Sequence, residues 1–98
     1  NILEYGQFWL GYNAERIPGE PCQCHENSAL LWRENRDITN ICTGYALSED
    51  GMWRQHSWLI HRKPRSNKIV ETTRPRVLYY GFALTPEMCE EFADENLR

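Results

Sequence analysis

The sequence predicts a single α+β domain: an antiparallel sheet of three or four strands, one helix packed on its face, and a second helix at its edge. Three observations predict this. Residues 40–47 and 53–60 alternate, with the period of two that places successive side chains on opposite faces of a strand. A turn-rich connector, Ile17-Pro18-Gly19-Glu20-Pro21, leads into a helix-forming run that opens near Cys24 and becomes apolar at Ala29-Leu30-Leu31-Trp32. Thr85-Pro86-Glu87 has the chemistry of a helix start: a capping hydroxyl, proline at the first position and an acid in the first turn. With 98 residues, 41% of them apolar and 12% aromatic, the chain can bury one core unaided.

Taken in order, Asn1–Tyr12 carries helical spacings, Leu3 to Gln7 and Tyr5 to Trp9, interrupted by Gly6 and Gly11. The run from Cys24 to Glu34 sets Cys24, Asn27 or Ser28, and Leu31 on one helical face. Residues Asn40–Leu47 put Ile41, Thr43, Tyr45 and Leu47 on one side of a strand. The small residues Cys42, Gly44 and Ala46 take the other, a surface that a helix could approach closely. Ser48-Glu49-Asp50-Gly51 predicts a tight turn with Gly51 left-handed, and a three-residue loop sets Gly44 opposite His56. In the next strand Met52, Arg54, His56, Trp58 and Ile60 share a face. After the polar loop 62–67, a strand over Lys68–Thr73 is expected to pair Ile60 with Asn67, Trp58 with Ile69 and His56 with Glu71. Directly opposed Cβ atoms lie about 4.5–5.5 Å apart. A further strand spans Arg76–Leu84, and Met88, Cys89, Phe92 and Leu97 form the inner stripe of the final helix.

Three of these positions carry chemistry together. Cys24 opens a helix, where outward-pointing N–H groups and the helix dipole favour a thiolate. His56 stands on a strand among apolar neighbours, and Glu71 is expected beside it. A thiol, an imidazole and a carboxylate in that order are the parts of a nucleophile, its base and the group that orients the base.

With Cys24 opening its helix, His56-Ser57-Trp58 on one strand and Glu71-Thr72-Thr73 closing the next, the segment from Cys24 to Leu84 resembles the papain-like superfamily, and within it the transglutaminase-like group. The resemblance implies a papain-like/transglutaminase-like core and cysteine-dependent acyl transfer on peptide or side-chain amides, as protease, deamidase or cross-linking enzyme. It implies Cys24 as nucleophile, His56 as base and acid, Glu71 as orienting carboxylate, and no cofactor. Glu71 departs from the usual Asp or Asn by one methylene. The glutamine that papain-type enzymes keep about six residues before the cysteine is absent, leaving Gln23, Asn27, Gln7, Asn13 or a backbone N–H as the oxyanion donor. Trp58 and Trp53 are expected to wall a substrate cleft.

Two other functional classes fit the same residues. One is a protein-binding module of the same fold without activity. The other is a zinc site built from Cys22, Cys24, His25 and His56 or His61, although Cys-x-Cys-His lacks the usual ligand spacing. The four cysteines are expected to be mostly free thiols, the chain being too poor in cysteine to depend on staples. The net charge is −3. Of the eleven Lys and Arg, Arg54, Arg62, Lys63, Arg65, Lys68, Arg74 and Arg76 lie in the middle of the chain. No nucleic-acid motif accompanies them, and no apolar run is long enough to span a membrane; the partner implied by the resemblance is a peptide or protein amide. The sequence starts at Asn1 without an initiator methionine, as a trimmed product or fragment would. It carries no visible signal peptide, and a cytoplasmic setting is the expectation.

Overall fold

A computed structural model describes residues 6–11, 14–62 and 68–97. Its eight elements are β1 (Gln7–Leu10), β2 (Glu15–Arg16), α1 (Cys24–Glu34), β3 (Thr39–Leu47), β4 (Trp53–His61), β5 (Lys68–Glu71), β6 (Leu78–Ala83) and α2 (Pro86–Asn96). The α+β class stands, but the sheet is larger than expected. It has six strands in the order β1-β6-β3-β4-β5-β2, and it is mixed, because β2 runs parallel to β5. Within Asn1–Tyr12, where helical spacings suggested a helix, Gln7–Leu10 is a strand antiparallel to β6, and the part of that expectation on residues 1–5 and 12 lies outside the described residues. Here β6 offers an edge, and pairing buries Trp9 on one side of β1 while Phe8 and Leu10 stay exposed.

The β3–β4 hairpin has the expected register, with Gly44 opposite His56. Ser48 N–H donates to Met52 O, so the loop proper is Glu49-Asp50-Gly51, and Gly51 adopts φ 82°. The β4–β5 hairpin is shifted by two residues from expectation: Ile60 pairs with Ile69, Leu59 with Val70 and His61 with Lys68. A two-residue shift keeps every side chain on its face, and it matches Ile60 with an apolar partner in place of Asn67.

Each face of the sheet has its own core. On one, Ala29 and Trp32 of α1 and Cys89 and Ala93 of α2 cover Ile41, Leu59, Val70 and Leu84. Both helices lie here, joined by Arg33–Asp94 and Arg36–Glu90 ion pairs. Thr85 caps α2, accepting from Met88 N–H at 3.2 Å. Met88 itself is exposed, and Ala93 takes the inner place expected of it. On the other face the sheet's own side chains form the core: Trp9, Cys42, Ala46, Trp58, Ile60, Ile69 and Tyr79. The small-residue face of β3 therefore receives large aromatics from neighbouring strands, not a helix. Gly44 explains part of this preference: a Cβ there would lie 2.2 Å from the Tyr80 carbonyl oxygen and 2.6 Å from Gly81 Cα.

Replacing Gly44 by Ala should force β3 and β6 apart and lower stability by at least about 2 kcal/mol. Urea unfolding with an unchanged midpoint would refute the close backbone approach.

Candidate functional site

The elements described above converge on His56. Its parity along β4 places it on the aromatic face with Trp58 and Tyr79, whose rings lie 6.0 Å and 6.1 Å from the imidazole. Its Nε2–H donates to Glu71 Oε1 at 2.8 Å and Oε2 at 3.0 Å. His56 is 2% exposed and Glu71 is fully buried. The observed register puts Glu71 level with Trp58, one diagonal step from His56, and the longer arm of Glu bridges that step where Asp would fall short.

Glu71 is satisfied on both oxygens. Besides His56, Oε1 accepts from the Tyr79 hydroxyl at 2.6 Å, and Oε2 accepts from Thr73 N–H and Thr73 Oγ1, each at 3.0 Å. Burial alone would push this carboxyl up, but the bonds and charge of His56, with Tyr79 and Thr73, outweigh it and hold the carboxyl below its ordinary range. The Tyr79 hydroxyl is pushed strongly upward by its burial and by the Glu71 charge, so it stays a donor. It also accepts from Arg76 N–H at 3.1 Å.

Cys24 arrives from the helical face. Pairing of β4 with β5 begins at Leu59, which leaves the β5-side edge of His56 and Ser57 uncovered. The first residue of α1 occupies that edge. The Cys24 thiol lies close enough to the His56 ring and to the Ser57 backbone for both to act on its ionisation. Since Nε2 is held by Glu71, Nδ1 is the nitrogen left for the sulfur. Partial burial raises the thiol, but the His56 bond and charge and the Ser57 N–H lower it further, against a smaller opposing push from Glu71. For His56, burial favours the neutral ring, while bonds to Cys24 and Glu71 and their charges overcome it and raise its pKa. The other buried thiols behave oppositely: burial pushes Cys42 and Cys89 up. All four cysteines are free.

The loop before α1 sets the position of Cys24. Ile17 N–H donates to Glu71 O at 2.9 Å and Gly19 N–H to Thr72 O at 2.8 Å, tying the connector to the end of β5. Asn27 then holds Glu20 at both backbone groups, its Oδ1 accepting from the N–H and its Nδ2 donating to the carbonyl. That occupies the amide of Asn27, so this oxyanion candidate is a loop anchor. Gln23 stands exposed at the N-cap of α1, and no side chain caps the helix, so its first N–H groups are available as donors. Gln7 is exposed in β1, and Asn13 lies outside the described residues. Trp58 is fully buried behind His56, with its indole N–H lacking an acceptor, and Trp53 is half exposed. Trp58 therefore shields the His56–Glu71 bond and walls no open cleft.

One participant was missed in the sequence, and another was weighed there only as a zinc ligand. Tyr79 looked like one aromatic among several in a strand, and only the β3–β6 pairing brings its hydroxyl to Glu71. His25 bonds through Nδ1 to Ser57 Oγ at 2.6 Å and packs edge-on against Phe92. Burial and the charge of His56 lower its pKa, with Glu26 opposing, so it serves as a neutral anchor between α1 and β4. Among the described residues no three His, Cys, Asp or Glu side chains are arranged to hold a metal ion, and no helix is long and apolar enough to cross a membrane.

Compared with known proteins, the chain matches no family model, no curated protein and no solved structure.

In a Cys22→Ser background, iodoacetamide labelling of Cys24 should rise with pH at a midpoint below that of an ordinary thiol. A lowered folded-state pKa means that the thiolate persists to lower pH. His56→Ala should move the midpoint upward, and an identical profile in that variant would refute the coupling. Tyr79→Phe removes a hydrogen bond to a charged group and strands the Arg76 N–H, so urea unfolding should show a loss of about 1.5–3 kcal/mol.

Proposed function

We propose that the protein is a cysteine-dependent acyl-transfer enzyme of papain-like or transglutaminase-like type, acting on peptide or side-chain amides. The observation that carries this reading is the buried His56–Glu71 pair whose remaining ring nitrogen addresses a lowered Cys24 thiol. A structural histidine needs one satisfied bond. Here the ring is held on one side by a fully satisfied carboxylate and acts on the other on a thiol at a helix start, the arrangement that activates a thiol nucleophile.

In the proposed reaction the Cys24 sulfur attacks the amide carbonyl carbon, and the developing oxyanion is met by N–H groups at the start of α1. His56, protonated through Nδ1 when the thiolate forms, gives that proton to the departing amine. The C–N bond breaks and a thioester remains. Water or a second amine then attacks the thioester carbonyl, His56 accepts the incoming proton, and the sulfur leaves. Glu71 keeps its charge throughout, fixing the ring orientation and stabilising the imidazolium. Water as acceptor gives hydrolysis or deamidation, and an amine gives cross-linking.

The three roles are unequal, and substitutions separate them. Against an electrophilic peptide probe or a cleavable amide, Cys24→Ala should be inactive. Glu71→Gln should be slowed by something on the order of 10–10⁴-fold, because the ring loses its fixed orientation and its counter-charge. Circular dichroism should show both variants folded, although Glu71→Gln loses stability with its buried bonds. Unchanged rates in folded Glu71→Gln, or residual covalent chemistry in Cys24→Ala, would refute the reading.

A further inference from the structure

Beside the triad lies a cleft of about 550 Å³, lined by Cys22, Ser48, Glu49, Asp50, Arg54, Arg74, Pro75 and Arg76. Each chain segment that delivers a triad residue also delivers a wall of this cleft. Cys22 precedes Cys24 by two residues, a span of at most about 7 Å. Arg54 precedes His56 by two, and Arg74 follows Glu71 by three.

The charges on its walls are not balanced within the cleft. Arg54 and Asp50 neutralise each other through contacts of 2.8 Å and 3.3 Å. Asp50 also accepts from Met52 N–H, which fixes it in its turn. That leaves Arg74, Arg76 and Glu49 on the cleft walls, none of the three in an ion pair among the described residues. Arg76 carries a further signal. Its backbone is fixed by the Tyr79 hydroxyl, and its Nη1 is shut off from solvent with no acceptor among the described residues. A sequestered guanidinium nitrogen without a partner is costly, and an anion drawn against the remaining donors of the group would offset that cost.

We propose that this cleft is a recognition subsite for an acidic residue of a peptide substrate, holding its carboxylate between Arg74 and Arg76 while an adjacent amide lies at Cys24. The inference rests on the acyl-transfer reading and names its substrate class. The planar fork of arginine matches a carboxylate. The unpaired Glu49 on the same walls disfavours a doubly charged phosphate more than a singly charged carboxylate.

The test compares pairs of acyloxymethyl ketone peptides that carry Glu or its isostere Gln one or two residues from the reactive carbonyl. The rate of Cys24 alkylation is measured in the wild type, Arg74→Ala, Arg76→Ala and the double variant. Glu probes should react about 10-fold faster or more in the wild type, as a charge-assisted hydrogen bond permits. The preference should shrink in each single variant and vanish in the double one. Arg74→Glu, a surface change that spares the fold, should turn it toward Lys probes. A parallel measurement needs no chemistry: NMR titration of Cys24→Ala with Glu- and Gln-containing peptide amides, and with inorganic phosphate. Rapid labelling that ignores probe charge would overturn the subsite and leave the nucleophile standing. Selective binding of Glu peptides by Cys24→Ala, with no enhanced labelling of Cys24 in the wild type, would support the subsite and sink the acyl-transfer reading. Phosphate binding as tight as the Glu peptide would overturn the carboxylate assignment.

Discussion

A carboxylate with no solvent-accessible surface accepts hydrogen bonds from an imidazole, a phenol, a backbone N–H and a hydroxyl, and the rest of this site depends on that one group. Burying an ion pair is rarely the cheapest way to stabilise a core. The desolvation penalty rivals the attraction, and apolar residues of similar volume often do as well. Loss of one partner, by contrast, leaves the other charge stranded at a cost of about 3–5 kcal/mol. Such a pair is hard to place and hard to disturb, and both properties suit the proposed role of the ring beside a thiol. The aromatic walls of Trp58 and Tyr79 keep water from competing for it.

The sheet makes this burial feasible through an uneven division of labour. Both helices pack on one face, while the aromatic core of the other is formed by the strands themselves. His56 and Glu71 belong to the aromatic face, Cys24 to a helix on the opposite one. They meet because β5 stops pairing with β4 before Ser57, which opens an edge that the start of α1 fills. The short parallel strand β2 and the connector after it, tied to the end of β5, hold the beginning of that helix in place. His25 fixes the same helix from its other side through Ser57. Position along an edge, not position on a face, brings the thiol to the ring.

The same convergence of segments shapes the charged cleft. The start of α1, the first half of β4 and the end of β5, with the loops beside them, supply both the candidate triad and the arginines of the cleft. Arg76 is joined to Glu71 through the Tyr79 hydroxyl, so the proposed anion subsite and the orienting carboxylate share one chain of hydrogen bonds.

By itself the sequence determined what is local. The alternation of β3 and β4, the left-handed Gly51 with its three-residue loop, the Thr85 cap and the start of α1 at Cys24 depend on residues a few positions apart, and they appear where the pattern put them. The three residues of the candidate triad were singled out from a pattern of the same kind, since Cys, His and Glu in that order on a helix start and two strands survives small errors of register, and the His56–Glu71 bond is present despite the shifted register. The tertiary structure decided what depends on distant neighbours. Gln7–Leu10 is a strand because β6 offers it an edge, against helical spacing of its own. The β4–β5 register lies two residues from the symmetric guess because Ile60 gains more against Ile69 than against Asn67, a comparison that hydrophobic burial settles only once both strands share a core. Tyr79 becomes part of the site, and Trp58 its shield, because the sheet folds its aromatic face around a buried charge. No pattern within either strand contains that information.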